Sequence, residues 1–272
     1  MPIPRNIPLL LSLALAGCAA EDDPQNADSV TDSGPRILSA YHGLDALPDR
    51  ASLICPTMVG GTDGMPVVFS VQIDLNTVTA SAFVVETADG QNVTPLCATL
   101  APAFEPLELR TVLLAGDFGT AEAPPRAVEV VGDVLDVAGT PLRGIRSEQI
   151  TPLAAGPELV LAERFAPDTS GLAGECPDGT QQVVQMTWAG GVHGVGHLPL
   201  GEAQRLGTIL TLEDGREINP IALADDDPDN HVHACLDTDS PARRITVAAG
   251  LFEDPGGDPN PATLVDVVSD GS

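Results

Sequence analysis

The chain has 272 residues, of which 43% are hydrophobic, and its 39 acidic residues against 12 basic ones give a formal net charge of −27. This charge argues against a nucleic-acid partner, because phosphates require a basic surface. The 25 prolines and 27 glycines are spread among short apolar runs, and no 3.6-residue periodicity lasts beyond a couple of turns. The composition therefore predicts an all-β protein.

The first residues have the pattern of a bacterial export signal. One basic residue, Arg5, precedes an apolar run over residues 9–16 that is too short to span a bilayer. The run ends in Leu15-Ala16-Gly17-Cys18, which resembles the lipobox of bacterial lipoproteins. The resemblance implies that residues 1–17 are a cleaved signal peptide and that the exported protein is anchored in the membrane through a lipid on Cys18. The alternative is an ordinary secretion signal followed by an incidental cysteine.

The residues after Cys18 bear on location. An aspartate directly after the lipidated cysteine commonly marks inner-membrane retention, whereas this chain has Ala19, which favours the outer membrane. Residues 18–35 are rich in acidic and small polar side chains and cannot bury enough apolar surface to offset their ordering entropy. We predict that this segment is a disordered tether.

An apolar run followed by Asp-Gly and a short run ending in proline occurs twice, at residues 83–95 and 208–220. The pairs Asp89-Gly90 and Asp214-Gly215 predict β-hairpins with type I′ turns, because aspartate and glycine tolerate positive φ angles. The two segments lie 125 residues apart (215 − 90). This repetition indicates that a whole domain has been duplicated.

The duplication extends along both halves when they are read in register. Leu38-Ser39-Ala40-Tyr41 matches Val160-Leu161-Ala162-Glu163, and Val67-Val68 is predicted to correspond to Val183-Val184. The offset changes at residues 58–64, 101–109 and 190–207, which predicts loop insertions there. We predict two domains, residues 36–148 and 158–270, joined by a linker at 149–157.

Turn-forming residues separate the short apolar runs and predict about seven short strands in each unit, which fits an immunoglobulin-like sandwich. The segments 64–70, 73–85 and 132–142 resemble bacterial Ig-like domains of the S-layer-protein type. The resemblance covers most of residues 36–147 and is looser over 158–270. It implies two tandem Ig-like antiparallel β-sandwiches used as a surface or spacer module, with no catalytic residues to transfer.

Cysteine usage agrees with export. With Cys18 assigned to the lipid, two cysteines remain in each unit: Cys55, Cys97, Cys176 and Cys235. An even number in an oxidising compartment predicts disulfides, and the duplication favours Cys55–Cys97 and Cys176–Cys235 over pairings between the units. Zinc binding by these cysteines is the weaker alternative, because the chain has no Cys-x-x-Cys.

The second unit also contains a candidate metal site. His231 and His233 would point to one face of a strand, and they could converge with the glycine-flanked histidines of the 190–207 segment if that loop folded over them. The candidate ligands for zinc or another transition metal are His193, His197, His231, His233, Asp225, Asp227 and Asp229. The acidic loops 224–230 and 253–260 are candidates for calcium, although neither matches the EF-hand pattern. The alternative is that these side chains are solvated loop residues.

Catalytic motifs are missing from the sequence, which has no Gly-x-Ser-x-Gly, no His-Glu-x-x-His and no phosphate-binding glycine loop. We therefore expect a non-enzymatic structural or interaction protein of the cell envelope, acting as a spacer or adhesin toward an unknown protein or glycan and needing no cofactor. The first alternative is a metal-binding exported lipoprotein using calcium or zinc. The second is a hydrolase with its site in the second domain, in the 190–207 insertion.

Overall fold

The computed structural model describes residue 1 and residues 34–44, 46–55, 57–170, 172, 176–224 and 229–269. The signal peptide, the tether up to residue 33, Cys18, Asp225 and Asp227 therefore lie outside the described residues. Pro35–Ser272 forms a compact unit of its own.

The first half of this unit is built from short strands. They are β1 (Ile37–Tyr41), β2 (Asp63–Phe69), β3 (Phe83–Thr87), β4 (Asn92–Val93), β5 (Cys97–Thr99), β6 (Thr111–Gly116), β7 (Pro125–Val130), β8 (Arg146–Ser147) and β9 (Ile150–Thr151). Short 3-10 helices span Asp49–Leu53, Leu75–Thr77 and Ala80–Ala82.

The second half repeats the pattern with longer strands and one short helix. The strands are β10 (Leu159–Phe165), β11 (Gln182–Trp188), β12 (His193–Gly194), β13 (Thr208–Leu212), β14 (Glu217–Ile218), β15 (Ala222–Ala224), β16 (His231–Leu236), β17 (Ala242–Val247), β18 (Phe252–Glu253) and β19 (Thr263–Ser269). Helix α1 spans Glu202–Gly207.

Both halves have the same strand order. In the first half one sheet runs β5-β6-β2-β1-β9 and the other β4-β3-β7-β8, while the second half runs β15-β16-β11-β10-β19-β17-β13-β14 in one connected sheet. The strands of each half can be lettered A, B, C, C′, D, E, F and G along the chain, with β1 and β10 as the two A strands. The orders are then D-E-B-A and G-F-C-C′, which are those of an immunoglobulin-like sandwich. The predicted all-β fold of two tandem Ig-like sandwiches is confirmed.

The last strand of each half joins its two sheets. In the second half β19 pairs antiparallel with β17 at its start and parallel with β10 at its end. In the first half two short strands take the place of this one long strand. Strand β8 pairs with β7, and β9 pairs with β1. Since Ile150–Thr151 lies in the predicted 149–157 linker, the first sandwich extends past the predicted boundary at residue 148.

The strand register corrects one part of the sequence alignment. Phe69 pairs with Ile37 and Trp188 with Leu159, and an irregularity follows at the same place in both ladders. Phe69 is therefore equivalent to Trp188, and Val67 to Met186 rather than to Val183. The predicted match was wrong by three residues because a Val-Val pair carries little register information in a valine-rich strand.

The two Asp-Gly hairpins form where predicted, but their turn type is different. A type I′ turn requires positive φ at both central residues, whereas positive φ occurs at Gly90 (+85°) and Gly215 (+84°) and not at the preceding aspartates. Oδ1 of Asp214 accepts from the amide of Arg216 at 3.0 Å, which holds that aspartate in the turn. Each loop is a three-residue turn closed by a left-handed glycine.

Each half has its own hydrophobic core, lined by inward-facing residues of both sheets. The first contains Phe69, Phe83, Leu114, Phe118, Val128 and Leu142 among others. The second contains Met186, Trp188, Leu210, Val232, Ile245 and Phe252 among others, with the Trp188 and Phe252 ring centroids 4.6 Å apart.

The disulfides are Cys55–Cys97 and Cys176–Cys235, which is the pairing within units that the duplication favours. Each ties the connection between the first two strands of its half to one of the two outermost strands of the sheet. Cys97 lies on β5 opposite Ala115, whereas Cys235 lies on β16 opposite Ala222 of β15. The two bonds thus lie at equivalent positions in the two halves. The cysteine of the first half lies on the edge strand, whereas that of the second half lies on the neighbouring strand.

Candidate functional site

The outer face of the β10-β11-β16 sheet is buried against the first half of the unit. Every residue of β11 and β16 is buried, although only alternate residues face the second core. The residues between them include Gln185, Thr187, His231 and His233, and all four are buried. This polar face of the sheet is therefore part of the junction between the two sandwiches.

A buried ion pair crosses this junction. Arg110 immediately precedes β6 in the first half, and both its Nε and Nη2 donate to the carboxylate of Glu163 on β10, with Nε–Oε2 at 2.8 Å. The side chains are 10% and 6% exposed. Nη1 of Arg110 also donates to the carbonyl of Ser70 at 2.7 Å. This fork geometry satisfies both charges, which a buried pair needs to offset its desolvation.

The predicted loop insertion at residues 101–109 takes part in the contact from the first half. Leu107 adopts a positive φ of 77°, a strained conformation for a residue with a Cβ. Its carbonyl accepts a hydrogen bond from Nε2 of Gln185 at 3.2 Å. Next to it, Oγ1 of Thr111 accepts from Nδ2 of Asn230 at 2.9 Å. The insertion and the start of β6 therefore each supply a polar contact that joins the two halves.

Three acidic or histidine side chains meet at the same junction. One possible metal-ligand atom from each of Glu108, Asp229 and His231 lies within 4.8 Å of the others, and all three residues are buried. Glu108 comes from the first half, whereas Asp229 lies two residues before β16 and His231 is the first residue of that strand. Asp229 Oδ1 accepts the backbone amide of His231 at 2.6 Å, which leaves Oδ2 facing the His231 ring with Oδ2–Nδ1 at 3.7 Å.

The structure brings together only part of the predicted ligand set. His231 and His233 share a face of β16 as expected, and Nε2 of His233 lies 3.9 Å from Oε1 of Glu108. His193 and His197 form a separate pair, with ring centroids 4.3 Å apart, and do not belong to the described three-residue group. Glu108 was missed because it lies in the other half, where no neighbouring residue suggested a ligand.

The 190–207 insertion packs against its own half. Its strand β12 pairs with β18, and the amide of Gly196 donates to Oε2 of Glu253 at 2.7 Å. Gln204 of α1 donates through Nε2 to the carbonyl of Leu251 at 2.6 Å. The His193 ring lies next to the His197 ring, and no convergence of all four imidazoles occurs among the described residues.

The second acidic loop, 253–260, serves a tight turn and the junction. Asp254 is buried, and its Oδ1 accepts the amide of Asp258 at 2.8 Å. Its Oδ2 accepts from the hydroxyl of Tyr41 in the first half at 2.7 Å, and the Ala155 carbonyl lies 2.6 Å from that hydroxyl. Both oxygens of this candidate calcium ligand thus have protein partners.

Tyr41 makes the stability of the junction sensitive to alkaline pH. Burial raises the pKa of its phenol strongly, and the hydrogen bond to Asp254 and the charges of Asp254 and Asp258 raise the pKa further. Because the folded-state pKa lies above the unfolded value of about 10, the contribution is complete below pH 10. We expect the free energy of unfolding to fall above about pH 10, by up to about 1.4 kcal/mol per pH unit.

Unfolding measured on either side of pH 10 checks this, with Tyr41→Phe as the control that lacks the slope. The chain contains one tyrosine, so phenolate absorbance reports this residue alone. Ionisation near pH 10 in the folded protein would contradict the burial of the phenol.

A cleft of about 410 Å³ opens at the same junction, within the size range of ligand pockets. Its walls are mostly apolar and include Leu44, Leu47, Leu53, Ile54 and Leu113. Asp229, Asn230 and Thr111 provide polar groups in the lining, and Gly190 and Gly191 contribute the start of the insertion. Asp229 belongs both to this lining and to the buried acidic and histidine cluster.

Comparison with known proteins adds no argument about fold or function. No family model and no curated protein matches the chain. Among solved structures it is similar to the N-terminal part of the bacterial S-layer protein SbsC, with 11% identity and a TM-score of 0.30. The alignment covers 86% of this chain and 44% of that chain. The class of protein, a tandem Ig-like sandwich protein, follows from the strand order alone.

Membrane-spanning helices are missing from the described ranges of the chain, where no helix combines the necessary length and apolar character.

Proposed function

We propose that this protein is a lipid-anchored component of the bacterial cell envelope, with a structural or interaction role as a spacer or adhesion module. The observation that carries this proposal is the buried junction, in which Arg110 with Glu163 and Tyr41 with Asp254 join two sandwiches of the same topology. Two domains fixed in this way do not move about a hinge, so they keep a constant distance between the two ends of the pair, as a spacer requires. Independent domains in one chain more often have small interfaces and move relative to each other.

The anchoring part of the proposal comes from the lipobox at residues 15–18. Several acyl chains on one cysteine give stable attachment where a single chain is marginal. The acidic residues that follow would keep the sandwiches clear of the anionic membrane surface. No catalytic role is proposed, and the partner is a protein or glycan of the envelope or of another cell.

Expression of the full chain in a bacterium that processes lipoproteins tests the anchor. We expect the wild type to incorporate radioactive palmitate and to sediment with outer-membrane vesicles, whereas Cys18→Ser removes the only acceptor sulfur in the lipobox. This variant should remain unlabelled and retain its signal peptide. Unlabelled wild-type protein in the soluble fraction would contradict the anchor, and labelled protein at inner-membrane density would contradict the assignment to the outer membrane.

A further inference from the structure

We propose that Glu108, Asp229 and His231 bind a divalent transition-metal ion at the junction between the two sandwiches, with zinc as the best match. The three ligand atoms lie within 4.8 Å of one another. The site differs from the one expected from the sequence, because it takes a carboxylate from the first half and excludes His193 and His197.

The orphaned polar atoms are the second observation that points to a ligand. Both ring nitrogens of His231 and Oδ2 of Asp229 are buried without a hydrogen-bond partner. The side chains of these residues are 1% and 3% exposed, respectively. Buried polar groups are nearly always satisfied, because leaving them unpaired away from water is costly. A metal ion would satisfy Oδ2 and one ring nitrogen at the same time.

The spacing of the atoms also suits an ion. Nδ1 of His231 and Oδ2 of Asp229 are 3.7 Å apart, which is too far for a hydrogen bond. Two ligands of a tetrahedral ion, each about 2.0–2.2 Å from the metal, are separated by about 3.3–3.6 Å. The pair therefore needs little movement to hold a metal ion.

The ligand types and charges select the metal. An imidazole nitrogen with two carboxylates favours zinc and similar ions over calcium, which prefers six or more oxygen ligands. A divalent ion would neutralise the two buried carboxylates. Because the third ligand, Glu108, belongs to the other sandwich, the ion would also join the two halves.

Two features surround the proposed site. His233 lies beside Glu108, with Nε2 3.9 Å from Oε1, on the same face of β16 as His231. Asp229 also lines the apolar cleft, so the site lies next to that cleft. The protein supplies three ligands, and water would take the fourth position of a tetrahedral ion.

Titration of residues 35–272 with Zn²⁺ after treatment with a chelator tests the proposal, since this part of the chain is a compact unit of its own. Trp188 is the only tryptophan in the chain, and its backbone pairs with Asn230, between two of the ligands. We expect one Zn²⁺ per chain, a change in Trp188 fluorescence and a higher unfolding temperature that follows the Zn²⁺ concentration.

Conservative variants separate the site from its alternatives. His231→Gln and Glu108→Gln, one in each half, should each weaken Zn²⁺ binding by at least about 100-fold while they remain folded in chelator. His193→Gln is the matched control on the separate histidine pair and should bind as the wild type does.

Three results would overturn the proposal. They are a wild type whose unfolding temperature ignores Zn²⁺, Glu108→Gln binding as tightly as the wild type, and His193→Gln losing the ion. Absorption of bound Co²⁺ gives a readout independent of stability, and its four-coordinate bands should disappear in Glu108→Gln. If His231→Gln fails to fold, Glu108→Gln alone decides the outcome.

Discussion

Replacing Arg110 with alanine should lower the free energy of unfolding by about 3–5 kcal/mol, because it leaves the Glu163 carboxylate buried without its partner. For a unit of this size the expected fall in melting temperature is about 6–20 °C, at about 2–4 °C per kcal/mol. Unfolding of residues 35–272, followed by circular dichroism and Trp188 fluorescence, measures the change. Arg110 belongs to the first half and Trp188 to the second. Because the junction couples the halves, the transitions followed by circular dichroism and by Trp188 fluorescence should shift together.

An exposed ion pair provides the matched control. Arg244 and Asp266 are 50% and 71% exposed, and Arg244→Ala should cost less than about 1 kcal/mol. The double variant Arg110→Met with Glu163→Leu keeps the volume and removes both charges, so it should be nearly neutral. A loss below about 1 kcal/mol for Arg110→Ala would show that the buried pair does not hold the junction.

Removing either disulfide should cost about 4 kcal/mol in the entropic account of cross-linking. The bonds close loops with sequence separations of 42 and 59 residues, so the loss should be slightly larger for Cys176–Cys235. Replacing both cysteines of one bond with alanine avoids a free thiol, and chemical unfolding of each double variant gives the change.

The two double variants serve as controls for each other. Cys97 and Cys235 are both buried, so each variant loses a similar apolar contact along with its bond. In the wild-type protein treated with a reductant, the loss in free energy of unfolding should be about the sum of the losses in the two double variants. A loss below about 1 kcal/mol for each would mean that the sheets, and not the cross-links, fix the connections between the first two strands.

Local patterns in the sequence predicted the hairpins and the all-β class correctly. The Asp-Gly pairs mark both loops because Gly90 and Gly215 adopt a left-handed conformation. Glycine takes this conformation without strain because it has no Cβ. The turn type could not be read from the same pair. It depends on whether the aspartate takes a positive φ, and here the side chain of Asp214 bonds the backbone amide two residues on.

Alternation along strands was informative about faces but not about what covers them. His231 and His233 lie on one face of β16 as the period of two predicts. The alternative of solvated loop residues is wrong for His231 and His233, because the first sandwich covers this face and both residues are buried. Burial of that kind depends on contacts between residues more than a hundred positions apart, such as Asn230 with Thr111, and no local pattern encodes them.

The candidate site shows the same limit. Asp229 and His231 were identifiable as an acidic and histidine cluster, but Glu108 was not. The only indication was the change of offset at residues 101–109, which was interpreted as a tolerated loop. In the structure that insertion carries Glu108 and Leu107 into the junction, where Leu107 contacts Gln185.

The most direct test of the rigid two-sandwich body is calorimetric unfolding of residues 35–272. If the junction couples the halves, the protein should melt in one transition whose van't Hoff enthalpy equals the calorimetric one, about 170 kcal/mol at about 0.7 kcal/mol per residue. Two resolved transitions, or a van't Hoff enthalpy near half that value, would show that the sandwiches unfold independently and would contradict a spacer without a hinge.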